Sequence, residues 1–398
     1  MEKLKVHLYG APHMNVMYNT KQMATCAYTT KLYLIAKILK EMGHELIYYG
    51  IEGNNCPATE SVDYLSKEIW DTSHTRDDKA WHDFGMHLES YQVGQHTVVE
   101  EINKRLSDPS KEVVLTTFGL WSENIRNINS RQIEWGIGYG YPWTPYKVFE
   151  SYAWQHSVYQ KLGNNYEISG PKWTDAVIPG YVDKDQFTFK DKKDDYLLFV
   201  GRIMDTKGVH IAIDLAQRNG LKLVVAGNGD IDMVENQKNV HYVGVADNTM
   251  KRALYANAKA TLCMTQYVEP FGNVHIESLM SGTPVITTDW GVYTETVPNG
   301  LVGFRGRTWQ DHQYALDNID SIDPQNCRDW AEANFSLQAV YPKFNSYFNH
   351  VAATNGEEYP YYASSNPDYC FRFTDYMLQF QEFQRKKREE QNASTIGL

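Results

Sequence analysis

The feature that most restricts the fold is a strand–helix–strand pattern that begins twice along the chain. In the first half, the apolar run Lys5–Tyr9 precedes a helical apolar stripe over residues 30–42 and a second apolar run over residues 45–49. In the second half, the same order starts again at Tyr196–Val200. Strands joined by a helix pair in parallel, so the pattern predicts an α/β chain with two doubly wound sheets.

A highly charged stretch, residues 183–195, separates the two patterns and is the best candidate for a linker. We therefore predict one domain over residues 1–185, a second over residues 186–355, and a C-terminal segment over residues 356–398 that contains a helix. The length of 398 residues agrees with this division, since one domain usually takes roughly 100–200 residues.

Charge and composition exclude several classes of protein. The net charge of −11 argues against broad electrostatic capture of nucleic acid or of an anionic membrane. No apolar stretch approaches the roughly 20 residues of a membrane span, and the N-terminus lacks the apolar core of a signal peptide. The cysteines are odd in number and dispersed, which predicts reduced thiols: Cys26, Cys56, Cys263, Cys327 and Cys370. We expect a cytoplasmic protein, in the host cytoplasm if the source is viral.

The strongest chemical signal is the segment from Glu269 to Glu277, EPFGNVHIE, which leads from a loop into a helix. Backbone N–H groups at the start of a helix favour an anion such as diphosphate. One carboxylate stands before the helix and the other inside it, so the two can bind different hydroxyl groups of one ligand through charge-assisted hydrogen bonds. A molecule with sugar hydroxyls at both ends and a diphosphate between them fits this arrangement.

This segment resembles the E-x7-E signature of the retaining, nucleotide-sugar-dependent GT-B glycosyltransferases of family four. The resemblance implies an α/β, GT-B fold of two facing Rossmann-like doubly wound domains with a C-terminal crossover helix, which would cross back to the N-terminal, acceptor-side domain. It also implies that Glu269 contacts the donor sugar and acts in catalysis, and that Glu277 binds the nucleotide ribose. The backbone amides of Phe271, Gly272 and Asn273 would face the sugar and the phosphates.

A second match lies after the strand that opens the second half. The segment that contains Gly201, Arg202, Lys207 and Gly208 resembles the G-R…K-G segment of the same family. The resemblance implies that the side chains of Arg202 and Lys207 bind the diphosphate of the donor and neutralise its charge. The leaving diphosphate gains charge as the glycosidic bond breaks, so fixed cations there stabilise the transition state more than the ground state.

Weaker matches follow in the same order as in the family. The turn Gly227-Asn-Gly229 resembles the A-G-x-G turn, and Val243 with Gly244 resembles the strand end whose backbone holds the nucleotide base. Residues 177–183 resemble the crossover before the second domain, although its asparagine is missing here. The resemblance covers residues 175–335 well, whereas the first 175 residues match only in their strand–helix–strand outline.

The N-terminal half departs from the family pattern. Its first loop, residues 10–14, has one glycine where the family often has a pair, and residues 133–143 lack the histidine that often contacts the donor sugar. The remaining candidates for acceptor or sugar contact are His13, Glu134, Tyr139 and His156. The alternative for the loop around Glu134 and Tyr139 is a tight turn packed by aromatic rings, and for the two histidines a structural role.

No cofactor and no metal are expected. Asp194 and Asp195 stand in the charged stretch rather than in a convincing metal-binding motif, and the resemblance implies an enzyme that needs no metal. The nucleotide sugar is a substrate.

The predicted function is a glycosyltransferase that moves a hexosyl or pentosyl unit from a nucleoside-diphosphate sugar, such as a UDP- or GDP-sugar, to a hydroxyl acceptor with retention. A saccharide or glycolipid is the expected acceptor. One alternative is a phage-type DNA glycosyltransferase that acts on a hydroxymethylated base; the basic run at residues 385–388 allows it and the net charge of −11 disfavours it. Another alternative is an inactive GT-B module that binds a sugar nucleotide or a glycan.

Overall fold

The computed structural model describes residues 3–17, 26–74, 85–162, 172–353 and 375–396. The chain divides into two compact units: unit 1 takes Met1–Ile178 and Tyr341–Arg372, and unit 2 takes Pro179–Val340 and Phe373–Leu398. Each unit is built on one sheet, and every described pair of neighbouring strands is parallel. This confirms the predicted α/β class with two doubly wound sheets.

The sheet of unit 1 has the strand order β3-β2-β1-β4-β5-β6-β7. Its strands are β1 Lys5–Tyr9, β2 Glu45–Ile51, β3 Glu60–Leu65, β4 Glu112–Thr116, β5 Arg131–Ile137, β6 Tyr146–Phe149 and β7 Ala176–Val177. Almost every residue of β1, β2 and β4 is buried, because both faces of the sheet are covered.

The helices of unit 1 pack on this sheet. They are α1 Ala27–Glu41, α2 Lys67–Ser73, α3 Glu89–Arg105 and α4 Tyr152–Leu162. In α1 the residues of the predicted stripe, among them Leu32, Ile35 and Leu39, are buried, and the helix ends before Gly43, whose φ is +76°.

The sheet of unit 2 has the order β10-β9-β8-β11-β12-β13. Its strands are β8 Tyr196–Val200, β9 Lys222–Ala226, β10 Val240–Tyr242, β11 Ala260–Cys263, β12 Val285–Thr288 and β13 Gly303–Gly306. Its helices are α5 Val209–Arg218, α6 Asn248–Asn257, α7 Val274–Met280, α8 Tyr293–Thr296, α9 Trp309–Asp317 and α10 Pro324–Phe335. One apolar core joins the strands to α5, α7 and α10.

Two further helices complete the chain. α11, Leu337–Ala353, leads from unit 2 into unit 1, and α12, Tyr376–Ile396, belongs to unit 2. In α12 the ring of Phe380 lies 5.4 Å from the ring of Trp330 on α10, and Lys387 pairs with Asp329 at 2.8 Å.

The domain limits differ from those expected from the sequence. The boundary falls after Ile178 rather than near residue 185, so the charged stretch lies within unit 2. The helix that leads back into unit 1 is α11, whereas the terminal helix, which the sequence suggested as the crossover, packs on α10 in unit 2. The loop part of the predicted C-terminal segment, residues 356–374, lies outside the described residues.

Within the described residues, no helix is both long enough and apolar enough to cross a membrane. Four cysteines are buried and free: Cys26, Cys56, Cys263 and Cys327. Cys370 lies outside the described residues.

Candidate active site

The two predicted motifs of unit 2 follow neighbouring strands. The chain runs from β8 outward to β9 and β10, and then returns to β11 on the other side of β8. Loops that leave the carboxyl ends of two such strands in opposite directions open a crevice, which is where ligands bind in sheets of this kind. The segment from Gly201 to Gly208 follows β8, and the segment from Glu269 to Glu277 follows β11.

The loop after β8 approaches the end of β11 at Gly208. This residue has φ +72°, and a Cβ atom there would lie only 2.0 Å from the carbonyl oxygen of Met264. Only glycine allows both this backbone conformation and this approach. As a result, the short 3₁₀ turn Asp205–Lys207 lies against the loop that follows β11, while Arg202 stands exposed before it.

Lys207 and Glu269 form an ion pair in this crevice. Nζ of Lys207 lies 2.5 Å from Oε2 of Glu269, and the hydroxyl of Thr265 donates a hydrogen bond of 3.1 Å to the same oxygen. The ammonium also lies 5.0 Å from the ring centroid of Tyr267. Burial alone would lower the pKa of Lys207, but the carboxylate of Glu269 and the phenol of Tyr267 raise it, so the lysine is cationic at neutral pH.

The loop between Glu269 and α7 is held by His275, which was not among the predicted site residues. Its buried ring shares a hydrogen bond of 2.6 Å between Nδ1 and the carbonyl oxygen of Gly272. Burial lowers the pKa of His275 to about 4, so the ring is neutral and Nδ1–H donates. The ring of Phe271 packs on His275 and on Phe335 in the core, which leaves only the backbone of Phe271 for the predicted ligand contact.

Asn273 stands at the start of α7 without a side-chain bond that caps the helix. Its Oδ1 atom is buried and has no hydrogen-bond partner, and a Cβ atom on Gly180 would lie 2.9 Å from it. The first backbone N–H groups of α7 are therefore not blocked by a capping side chain.

Glu277 is oriented by α6. The phenol of Tyr255 donates a hydrogen bond of 2.8 Å to its Oε2, and Nζ of Lys251 lies 3.9 Å from its Oε1. Burial, followed by the charge of Glu277, raises the pKa of Tyr255 well above its usual value, so the phenol remains a donor. Lys251 and Tyr255 are four residues apart on one face of α6, so this helix presents both side chains to Glu277.

The floor of the crevice is bare backbone. The N–H of Gly227 donates to the carbonyl of Gly244 at 2.9 Å, and the N–H of Gly201 donates to Ala226 at 3.0 Å. A Cβ atom on Gly227 would lie 1.8 Å from the carbonyl oxygen of Gly201. The predicted residues Gly201, Val243 and Gly244 therefore line one edge of the sheet, at the carboxyl ends of β8 and β10.

Unit 1 has its own switch point, between β1 and β4. His13, in the loop after β1, is buried; its Nδ1 shares a hydrogen bond of 2.6 Å with the phenol of Tyr91, and its ring lies 4.5 Å from that of Phe118. The ring of Tyr28 lies 5.2 Å from that of Phe118 and 5.8 Å from that of Tyr139. Aromatic rings from three loops and two helices thus gather at this edge.

Glu134 has a structural role, which agrees with the alternative of a tight turn packed by aromatic rings. Its carboxylate is fully buried and accepts hydrogen bonds from the N–H of Gly119 at 2.9 Å, the phenol of Tyr139 at 2.7 Å and the N–H of Trp143 at 2.9 Å. It thereby fixes the turn in which Phe118 has φ +81°. Burial raises the pKa of Glu134 in spite of these bonds. Both oxygens are occupied by protein donors, so the suggested contact with a sugar hydroxyl does not fit this geometry.

His156 lies on the exposed side of α4, where its ring is 6.5 Å from that of Tyr152. None of the described contacts joins it to His13, Glu134 or Tyr139. The structure therefore brings His13 and Tyr139 to one aromatic cluster and leaves His156 outside it.

The described residues contain no group of three or more His, Cys, Asp or Glu side chains that could hold a metal ion. Asp194 and Asp195 are exposed, and the backbone N–H of Asp194 donates to the carbonyl of Asn257 at 2.7 Å.

The second half of the chain is similar in sequence to known glycosyltransferases. Residues 183–333 match the family model described as glycosyl transferases group 1. The chain is 34% identical over 155 residues to glycogen synthase from Mycobacterium tuberculosis, which covers 34% of this chain and 37% of that protein. It is 28% identical over 148 residues to phosphatidyl-myo-inositol mannosyltransferase from the same species, which covers 33% of this chain and 39% of that protein. The chain therefore spans well under two thirds of the length of each of these two relatives.

Structure comparison covers both units. AviGT4, a glycosyltransferase involved in avilamycin A biosynthesis, superposes with a TM-score of 0.63 at 20% identity, over 88% of this chain and 98% of that one. HepE from Anabaena, in complex with UDP and glucose, gives a TM-score of 0.58 at 13% identity, over 87% and 99%. The fold is that of the GT-B glycosyltransferases.

Proposed function

We propose that this chain is a retaining glycosyltransferase that moves a sugar from a nucleoside-diphosphate sugar to a hydroxyl acceptor. The observation that carries the proposal is the pairing of Lys207 with Glu269 at the switch point of unit 2, next to Glu277 on α7. A cation for diphosphate and two carboxylates for hydroxyls meet in one crevice. The match of residues 183–333 to group 1 glycosyl transferases supports the same reaction class.

In this proposal the donor lies along the carboxyl edge of the unit 2 sheet. Glu277 accepts hydrogen bonds from the ribose, the backbone near Val243 and Gly244 contacts the base, and Arg202 and Lys207 bind the diphosphate. Tyr255 occupies one oxygen of Glu277, which leaves the other for the ribose. The structure of HepE with UDP and glucose gives a precedent for such a ligand on this fold.

The chemical step follows from the same charges. As the glycosidic bond breaks, negative charge develops on the diphosphate, and Lys207 stabilises it where it forms. The acceptor hydroxyl attacks from the face that the diphosphate leaves, and its proton passes to the departing phosphate oxygen. The configuration at the anomeric carbon is retained, and no separate protein base is needed. Glu269 contacts the sugar, within reach of the lysine.

We propose a saccharide or a glycolipid head group as the acceptor. The rings of Tyr28, Phe118 and Tyr139 at the switch point of unit 1 offer the kind of apolar faces on which sugar rings stack. The names of two relatives, glycogen synthase and phosphatidyl-myo-inositol mannosyltransferase, refer to a polysaccharide and to a lipid.

The DNA-modifying alternative loses the support of its basic run. Arg385 pairs with Glu382 and with Glu389 on α12, and Lys387 pairs with Asp329 on α10. These cations are largely neutralised by carboxylates of the protein, and the net charge of −11 adds repulsion from a phosphate backbone. The inactive-module alternative is disfavoured because Lys207, Glu269 and Glu277 are all present and engaged.

The test uses the full chain with a panel of UDP-, GDP- and ADP-sugars. We expect at least one of them to raise the melting temperature, and the matching donor to release its nucleoside diphosphate when a saccharide acceptor is added. An NMR spectrum of the product should give the same anomeric configuration as the donor. No thermal shift with any donor, together with no diphosphate release with any acceptor, would contradict the proposal; binding without turnover would favour the inactive module.

A further inference from the structure

The charged stretch, residues 183–195, is packed against the rest of unit 2. The backbone N–H of Lys190 donates to the carbonyl of Ser281 at 3.3 Å, and that of Asp194 donates to Asn257 at 2.7 Å. The ring of Phe189 fills the space beside Gly282, where a Cβ atom would lie 2.7 Å from it. These contacts attach the stretch to the carboxyl ends of α6 and α7. The stretch is therefore a packed part of the domain and not only a linker.

Lys193 joins the ends of these two helices. Its ammonium donates hydrogen bonds to the carbonyl of Ala256, in the last turn of α6, at 3.0 Å and to the carbonyl of Ser281, just after α7, at 3.1 Å. Carbonyls at the end of a helix have no partner within it, and a cation satisfies them well. Burial lowers the pKa of Lys193 to about 8, so the side chain is charged at pH 7.

These two helices carry Glu277, which is proposed to bind the ribose, and Tyr255, which orients it. Tyr255 stands next to Ala256 on α6, and Glu277 stands one turn before Ser281, whose hydroxyl donates to the Glu277 carbonyl at 3.2 Å. The phenol of Tyr255 donates to the Glu277 carboxylate at 2.8 Å. The spacing of the two helix ends therefore sets how this phenol meets this carboxylate.

We infer that Lys193 is a positioning residue for nucleotide binding: it holds the carboxyl ends of α6 and α7 together and so keeps the Glu277 carboxylate oriented toward the ribose. The inference rests on the proposed function, since it deepens the role of the same site. Lys193 would thus affect nucleotide binding through the backbone carbonyls at the two helix ends, without contact to the diphosphate.

The experiment compares Lys193→Met with Lys192→Met, a matched change at the exposed neighbouring lysine. Affinity for UDP and GDP is measured by calorimetry, and donor KM and kcat by turnover. For Lys193→Met we expect nucleotide affinity to fall and donor KM to rise by roughly 3- to 30-fold, with kcat within about twofold of the parent. Lys192→Met should match the parent, and Lys193→Arg, which can reach the same two carbonyls, should restore most of the affinity.

A coupling measurement separates positioning from simple stabilisation. If Lys193 acts through Tyr255 and Glu277, Lys193→Met should cost little additional nucleotide affinity in a Tyr255→Phe background. Additive losses, or a lower melting temperature with unchanged affinity of the folded protein, would overturn the inference. Should Lys193→Met not fold, Lys193→Gln replaces it, and a donor KM equal to that of the parent overturns the inference in the same way. Failure of the parent protein to bind any nucleotide would instead count against the proposed function.

Discussion

Nζ of Lys207 lies 2.5 Å from Oε2 of Glu269, although 62 positions separate the two residues in the sequence. The parallel sheet brings them together, because β8 and β11 are neighbours and both loops leave from the same edge. Each residue neutralises the other, and a diphosphate that binds Lys207 has to share this cation with Glu269. In the proposed binding mode, the charges of donor, lysine and carboxylate are therefore coupled.

Replacement of this lysine tests the coupling. Lys207→Met should lower kcat by roughly 100-fold or more, since a fixed cation at the developing charge is lost. It should also weaken diphosphate binding, because Glu269 is left without its partner beside the phosphates. Turnover and calorimetry with UDP and GDP measure both effects, with Lys238→Met at an exposed position as control. Transfer at the parental rate would rule out this role of Lys207.

The two glutamates should separate binding from chemistry. Glu269→Gln should lower kcat by roughly 100-fold while nucleotide affinity changes by less than about threefold, because in the proposed binding mode this carboxylate contacts the sugar. Glu277→Gln should weaken nucleotide binding by roughly 10-fold, the loss of one charged hydrogen bond to a hydroxyl. Calorimetry with the nucleoside diphosphate and initial rates with the donor distinguish the two patterns. Identical effects of both changes would argue against the assigned positions of sugar and ribose.

Two glycines with the same backbone conformation test the close approach of the loops. Gly208 and Gly220 have φ +72° and +65°, but only at Gly208 would a Cβ atom meet another chain segment, 2.0 Å from the carbonyl oxygen of Met264. Gly208→Ala should cost about 3 kcal/mol or more of unfolding free energy, and Gly220→Ala about 1 to 2 kcal/mol. Urea unfolding measures both, and equal costs would contradict the close packing at Gly208.

The loss of folding stability at acid pH should depend on Glu112 in unit 1. Burial alone would raise the pKa of Glu112, but hydrogen bonds from Ser107, Asp108 and His7 hold it at about 2. A carboxyl pKa below its unfolded value of 4.5 adds stability that is present above pH 4.5 and is lost as the pH falls toward 2.

Glu112→Gln should therefore cost about 2 to 3 kcal/mol at pH 6 and little at pH 2. Denaturant unfolding across this range gives the difference, with exposed Glu68→Gln as control. A constant difference at all pH values would show that packing, rather than the charge, accounts for the cost.

Much of unit 2 could be predicted from the sequence, because its strands are short apolar runs and several of them, such as β8 and β9, are followed directly by a glycine. The predicted run Tyr196–Val200 is strand β8, and the motifs around Arg202 and Glu269 fall at the strand ends that a parallel sheet brings together. The sequence could not show that Tyr255 and His275 support these motifs. Tyr255 contacts Glu277 because α6 packs beside α7, and His275 contacts the carbonyl of Gly272 because the loop turns back on itself.

Unit 1 was harder to predict because some of its polar residues are buried and form hydrogen bonds within the fold. Glu134 stands in an aromatic, glycine-rich segment that suggested a ligand contact, yet its carboxylate is occupied by donors from Gly119, Tyr139 and Trp143. Strand β3 and helix α3 fall in a stretch of weak periodicity, where tertiary packing decides the structure. The linker prediction for residues 183–195 was wrong for a similar reason. Lys193 donates hydrogen bonds to backbone carbonyls of two helix ends, and no sequence pattern reveals such contacts.

The contact of Gly227 with Gly201 also limits how this protein can change over evolution. Any side chain at Gly227 would overlap the carbonyl oxygen of Gly201, so this position on the floor of the crevice has no room for a larger residue. If the proposed binding mode holds, a change in donor preference would have to arise on the walls, where Lys251 and Tyr255 of α6 contact Glu277. A library for altering the nucleotide preference should diversify the face of α6 and leave the glycines fixed.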